Sequence, residues 1–207
     1  MLRLYYARQT RSIRPRWLLE ELGAPYELVR LDLSVGDQKK AEYLTLNPNG
    51  TVPTLVDDDL ILFESAAIVQ YLADKYPKAQ LAPAVGTAAR GKYYQWIHYA
   101  MNTLEPPAVT IFLHTTGAPM GRPQHERIPQ LVPDARAQLA AAVKVVDDAL
   151  AGKRFIVGDA FSAADVMMGS MLGWCMILGM IGNDATNVQA YLAGLGTRPA
   201  VARAQSD

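Results

Sequence analysis

Two short strings of this chain hold groups able to handle a small acidic peptide. In Asn47-Pro48-Asn49-Gly50-Thr51-Val52-Pro53-Thr54-Leu55 a proline stands where the chain should enter a strand. Proline has no N–H to donate and is tolerated in a sheet only at an edge, a bulge or a turn. Val52–Pro53 is therefore a candidate cis bond, which leaves the Val52 N–H and C=O pointing outward to bind an extended peptide. A little further on, Glu64-Ser65-Ala66-Ala67-Ile68 puts an acid and a hydroxyl at the start of a helix. Free backbone N–H groups and the helix dipole attract a carboxylate there. A peptide clamp beside a carboxylate-binding helix end points to a small peptide with a free acid. The plainer reading, a tight turn before a hairpin and an ordinary helix cap, fits either string taken alone.

The elements around these strings must position them. Leu2–Tyr6 reads as a short strand, and a helical pattern runs from Ser12 to Leu22 and stops at Gly23. In it Trp17, Leu18 and Leu22 share a face, Glu20 and Glu21 stay wet, and Pro15 falls in the first turn, where its missing N–H costs little. Tyr26–Leu31 is a second strand, so the chain opens with a parallel, right-handed β-α-β unit. The Asp37–Leu46 stretch is weakly helical. Thr54–Val56 and Leu60–Phe63 flank an acidic hairpin turn, Asp57-Asp58-Asp59, and a helix occupies Ser65–Lys75. Pro77, Pro83 and Gly86 mark a linker, which divides the chain into a domain over 1–80 and another over 87–207.

Beyond the linker the pattern is helical throughout. Ala88–Ala108 carries the aromatic stripe Tyr93, Tyr94, Trp96 and Tyr99 until Pro106-Pro107 disturbs it, and an alanine-rich helix covers 130–150. The 113–129 segment, with Pro119, Gly121, Pro123 and Pro129, is expected to be a mobile loop. Ser162-Ala163-Ala164-Asp165 is a capping-box pattern, and Phe161 before it can staple against Met167 or its neighbour. The charge-free run between Asp165 and Asp184 is diluted by five Gly and Ser residues and reads as a helix buried on all sides, not as a membrane span.

Composition narrows the function classes. Lys plus Arg and Asp plus Glu each number 20, and neither sign segregates: residues 1–80 hold 10 basic and 11 acidic side chains. Nothing pulls the chain toward nucleic acid or an acidic surface. Early arginines interrupt every apolar run, so no signal peptide or membrane insertion is expected. A lone Cys175 allows no internal disulfide and fits a reducing, cytoplasmic setting, and three scattered histidines make a metal site improbable.

Taken in order, Leu4-Tyr5-Tyr6, the run from Ser12 to Gly23, Asn47 to Pro53, Glu64 to Leu72 and Gly158 to Asp165 resemble the soluble, cytosolic-type glutathione S-transferases over essentially the whole length, and in particular the bacterial serine-type members. The resemblance implies an α/β thioredoxin-like N-terminal domain followed by an all-α helical-bundle C-terminal domain. It implies glutathione as co-substrate, no metal, a small hydrophobic electrophile, a homodimer, and a role in detoxification.

The same resemblance distributes roles. Ser12 would donate a hydrogen bond to the glutathione sulfur and favour thiolate over thiol. Thr10 offers a hydroxyl two residues earlier, and Tyr6 stands at the strand end where other branches place a catalytic tyrosine. Arg11 occupies the place where a further branch carries cysteine. No cysteine lies in residues 1–80, so disulfide chemistry of the glutaredoxin kind is disfavoured. Val52 and Pro53 would pair with the cysteinyl backbone, Glu64 with the γ-glutamyl ammonium, and Ser65 with its carboxylate. Lys39 or Lys40, with Asn49, would reach the glycyl carboxylate, because Thr51 replaces the longer residue the family often has before Val-Pro. The electrophile pocket would draw on Arg8, Gln9 and Thr10 from the first loop and on Tyr99, Asn102 and Thr103 from the helical domain. Trp96, Met171 and Trp174 belong as readily to the core, and Tyr94 or His98 is placed to assist a leaving group. The leading expectation is thiol conjugation, with peroxidase, dehalogenase or isomerase chemistry open to the same site. The alternative is a non-catalytic ligand-binding or protein-interaction module of the same fold.

Overall fold

Alternation along β1 (Leu2–Tyr6) sets the centre of the sheet: Leu2, Leu4 and Tyr6 are buried while Arg3 is exposed and Tyr5 half-buried. In the computed structural model, which describes residues 1–115 and 122–206, β1 pairs in parallel with β2 (Tyr26–Arg30), Leu4 opposite Leu28. On its other side it pairs antiparallel with β3 (Thr54–Asp57), Leu4 opposite Leu55. β4 (Leu60–Phe63) completes the order β2-β1-β3-β4. The helix between β1 and β2, α1 (Ile13–Leu22), stops at Gly23, whose φ of 60° suits a residue without Cβ. After a 3₁₀ turn at Leu33–Val35, the weakly helical stretch resolves into a second, Asp37–Lys39, and a single-turn helix, α2 (Ala41–Leu44). α3 (Ser65–Lys75) follows β4 and packs on α1. The thioredoxin-like expectation holds.

The compact units differ from the expected boundaries at one place. The first comprises residues 1–83 together with 196–207, and the second residues 84–195. The C-terminal helix α9 (Pro199–Gln205) joins the first unit because α1 offers it charge. Arg198 grips the Glu21 carboxylate with two bonds, 2.6 and 2.7 Å, and Arg203 reaches Glu20 at 2.8 Å. Arg16, buried on α1, donates to the carbonyls of Arg203 and Ser206. Glu20 and Glu21, expected to be wet, are instead the dock for α9. Tyr26 and Trp17 each donate to one of them as well.

The second unit is all helix. Thr87 caps α4 (Ala88–Tyr99) by accepting the Arg90 N–H. The expected break at Pro106-Pro107 is a wide turn instead. Residues Ala100–Leu104 form a π turn, the Glu105 N–H donating to the Ala100 carbonyl five residues back, and α5 (Glu105–Thr115) continues beyond it. Two prolines deprive Asn102 and Thr103 of their usual donors, and widening one turn makes room for the rings. Of the expected loop over 113–129, Thr115 still belongs to α5. Residues 116–121, with Pro119 and Gly121, lie outside the described residues. Two 3₁₀ turns, Gln124–Glu126 and Pro129–Leu131, lead into α6 (Val132–Ala149).

α7 (Ala163–Ile177) begins with the expected reciprocal capping box. Asp165 is its hub: the carboxylate accepts from the N–H of Ile156 and of Ser162, both at 2.8 Å, and from the hydroxyls of Ser162 and Tyr191. Burial pushes this carboxyl above the ordinary carboxylate range although those donors pull the other way. Phe161 meets Phe155 edge-on at 5.9 Å. α7 is buried on most sides only over its first two-thirds, and Ile177 at its end is exposed. α8 (Thr186–Gly196) is capped from α6, where Asp147 accepts the Val188 N–H at 2.9 Å. Among the described residues no helix is long and apolar enough to cross a membrane.

Candidate functional site

The turn from β1 to α1 gathers three hydroxyl-bearing candidates and separates one of them. Thr10 Oγ1 donates to the Ala7 carbonyl at 2.7 Å, lies 2.9 Å from Ser12 Oγ and accepts the Ser12 N–H at 3.2 Å. Ser12 Oγ also accepts the Ala7 N–H at 3.4 Å. Ser12 makes no capping bond to α1, so the plain helix-cap role is not the one its side chain plays. The two hydroxyls form a pair in which Ser12 is 0 % exposed and Thr10 half-buried. Tyr6 points elsewhere: its ring lies under the Arg16 guanidinium, 5.2 Å away, and the residue is buried. Gln9, in the same turn, takes a positive φ of 55°.

The second wall is the loop before β3. Its Val52–Pro53 bond is cis. The preceding carbonyl, that of Thr51, accepts from the Tyr43 hydroxyl at 2.6 Å and from Asn47 Nδ2 at 2.9 Å. Both donors also reach Thr54 Oγ1, and Asn47 Oδ1 takes the Asn49 N–H. Asn47 is fully buried with its acceptor and donor sides both used. Burial raises the Tyr43 hydroxyl's pKa, keeping it a neutral donor. Among the described residues nothing in the chain pairs with the Val52 N–H or C=O. Gly50 has φ of 58°, and a Cβ there would sit 2.7 Å from Lys39 Nζ and 2.9 Å from the Gln38 carbonyl. Only glycine lets Lys39 cross the loop to donate to the Asn49 carbonyl at 3.2 Å. Lys40 turns away into an ion pair with Asp37 at 2.7 Å. The two lysines therefore separate, and Lys39 alone stays beside the loop.

The third wall is the start of α3. Glu64 has φ 72° and ψ 109°, a conformation that costs a non-glycine residue about 1–3 kcal/mol. It is exposed, while Ser65 beneath it is buried and accepts a 3.0 Å bond from Arg14 Nη1. Arg14 is not among the residues expected from the sequence. Its spacing to Trp17 and Leu18, three and four residues on, places it on the apolar face of α1, which was the available signal. Asn47, one helical turn after the aromatic Tyr43, shares the Thr51 carbonyl with it.

An open depression of about 400 Å³ adjoins the first turn, lined by Ala7, Arg8, Leu31, Ser34 and Asp37 among others, beyond the carboxyl ends of β1 and β2. A larger one, about 450 Å³, lies at the opposite end of the sheet around Met1, Pro25 and Lys75. Neither is lined by Val52, Glu64 or Ser65; the first lies where open α/β sheets bind ligands, at the carboxyl ends of their parallel strands.

In the second unit Asn102 and Thr103 are exposed on the π turn, and π turns recur at functional sites. Tyr99 donates to the Ala142 carbonyl at 3.3 Å and stacks edge-on with Trp96; burial raises its pKa. His98 is exposed, its Nδ1 3.5 Å from Asn102 Nδ2. Tyr94 is exposed beneath Arg90, Met171 is core, and Trp174 packs on Phe112 at 5.3 Å. Cys175 is buried with its thiol pushed up to about 12, so it supplies no thiolate. Among the described residues no group of three or more His, Cys, Asp or Glu side chains could hold a metal.

Two family descriptions match this arrangement in chain order: the glutathione S-transferase N-terminal domain over residues 1–74 and its C-terminal domain over 129–194. Glutathione S-transferase F9 of Arabidopsis thaliana is 33% identical across 88% of this chain and 86% of its own. Glutathione S-transferase GstA of Escherichia coli is 30% identical across 99% and 98%. The chain belongs to the glutathione S-transferase family. A sphingomonad glutathione S-transferase solved in complex with glutathione superposes with a TM-score of 0.83 at 30% identity, covering 98% of this chain and 96% of that one. The mixed sheet followed by the helical bundle is the fold of these transferases.

Proposed function

We propose that this transferase binds glutathione along the first unit and activates its thiol for attack on small apolar electrophiles. The observation that carries the reading is Val52: its N–H and C=O lie next to a cis proline, unpartnered among the described residues, and suit an added peptide strand. Glu64 takes the γ-glutamyl ammonium, and Ser65 with the first N–H groups of α3 takes the carboxylate. Lys39 and Asn49 serve the glycyl end.

The activation is of the serine type but shared. Thr10 has surface to offer a sulfur atom and Ser12 has none, so Thr10 meets the thiol and Ser12 backs it. In the thiolate complex the Thr10 proton turns from the Ala7 carbonyl to sulfur, and the Ser12 hydroxyl donates to Thr10 Oγ1. A hydrogen bond to a charged acceptor is stronger than one to a neutral thiol, which lowers the thiol pKa. For the electrophile the candidates are Arg8 and Gln9 in the first unit and, in the second, Tyr99, Asn102 and Thr103. The protein acts as a cytoplasmic homodimer, with α3 and α4 contributing to its interface.

Retention on immobilised glutathione, followed by conjugation of a chlorinated nitrobenzene, tests this reading. Both should succeed. Retention without turnover would favour the non-catalytic carrier, and loss of both would end the proposal. Light scattering should give twice the 22.6 kDa chain mass.

A further inference from the structure

Arg14 is a buried cation, 4 % exposed, two residues beyond Ser12, and it reaches across from α1 to the first residue of α3. Its Nη1 donates to Ser65 Oγ at 3.0 Å, and Ser65 is also 4 % exposed. A guanidinium keeps its protons at any ordinary pH and can only donate. A serine hydroxyl has one proton and two lone pairs. When Arg14 occupies a lone pair, the hydroxyl's single proton has to point away from the guanidinium. No other hydrogen bond engages Ser65 Oγ among the described residues.

We infer that Arg14 is a positioning residue for glutathione: by donating to Ser65 it fixes that hydroxyl as a donor to the α-carboxylate of the γ-glutamyl group. The inference rests on the reading of Ser65 given above. It assigns Arg14 selectivity for one carboxylate of the ligand. It also ties the two ligand ends of the site together, because the helix that begins at the Thr10–Ser12 pair is the helix that orients Ser65. The backbone N–H groups at the start of α3 add to the same carboxylate, but they donate in any case and need no orienting.

The test compares dissociation constants, by calorimetry, for glutathione and for γ-aminobutyryl-cysteinyl-glycine, which keeps the amine and lacks that carboxylate. Arg14→Met should weaken glutathione about tenfold, the effect of one charge-assisted bond, and move the analogue less than about twofold. Arg14→Lys, which restores a cationic donor, should recover most of the loss. Ser65→Ala should show the same discrimination, and adding Arg14→Met to it should cost little more. If Arg14→Met does not fold, the Arg14→Lys and Ser65→Ala measurements still decide. Equal weakening of both ligands, or additive losses in the double variant, overturns the inference while leaving glutathione binding intact. Wild-type protein that binds neither ligand overturns it together with the reading beneath it.

Discussion

Ser12 and Ser162 both stand immediately before a helix, and they do opposite work. Ser162 is turned wholly inward: its N–H and hydroxyl are held by Asp165, and α7 starts from that closed box. Ser12 makes no capping bond on α1 and spends its hydroxyl on the preceding turn, against Thr10 and Ala7. Ser65, first in α3, likewise receives its bond from Arg14 instead of capping its own helix. A helix start whose serine is consumed by its own helix is a structural joint. One whose serine is engaged from outside leaves N–H groups and a proton for a ligand.

The largest expected effect breaks the closed joint. Asp165→Ala strips four donors of a buried acceptor and should lower the unfolding free energy by about 3–5 kcal/mol. Urea titration that shows less than about 1 kcal/mol would mean the box is dispensable. Next come the open joint's hydroxyls. Thr10→Val and Ser12→Ala should each raise the pKa of bound glutathione and cut turnover about 10- to 100-fold, counted per folded, glutathione-binding molecule. If Ser12→Ala alone does this while Thr10→Val is neutral, the order of the pair is reversed. Ser162→Ala should do the converse, costing about 1 kcal/mol of stability and leaving the bound thiol's pKa where it was. Any movement of that pKa would erase the distinction between the two joints.

A smaller effect concerns acid. Because burial raises the Asp165 pKa, the folded chain takes up that proton at a higher pH than the unfolded one does. The carboxyl's contribution to stability then grows as pH falls toward about 4 and is flat below it. The stability gap between wild type and Asp165→Asn should therefore widen, not close, between pH 7 and pH 5. A closing gap would mean that hydrogen bonding outweighs burial at this carboxylate. Smallest of all, Tyr6→Phe should change turnover by less than about twofold, since the ring is packed under Arg16.

Much of this was legible in the residues. Alternation in Leu2–Tyr6, the stop at Gly23, the proline after Val52 and the Ser162–Asp165 spacing each obey a local rule, and the structure follows them. What was not legible depends on partners distant in the chain. Glu20 and Glu21 look like a solvated face until Arg198 and Arg203 arrive from the other end. Arg14 reads as surface by type, and its partner Ser65 lies far along the chain. The Pro106-Pro107 pair misled in another way. Proline rules forbid a regular turn there, and the chain met the rule by widening the turn without ending the helix. Lys39 and Lys40 could not be told apart by type. The pairing of Lys40 with Asp37 and the absence of a Cβ at Gly50 separate them.

The docking of α9 on α1 has a consequence in time. A ribosome releases residues 1–83 well before it has made 196–207, and residues 84–195 come between, roughly ten seconds of synthesis. During that interval the nascent sheet and α1 lack their last helix, and Glu20, Glu21 and Arg16 await arginines and carbonyls not yet made. The second unit, continuous in sequence, can close first. The first unit is thus begun before the second is made and gains its α9 contacts only after it.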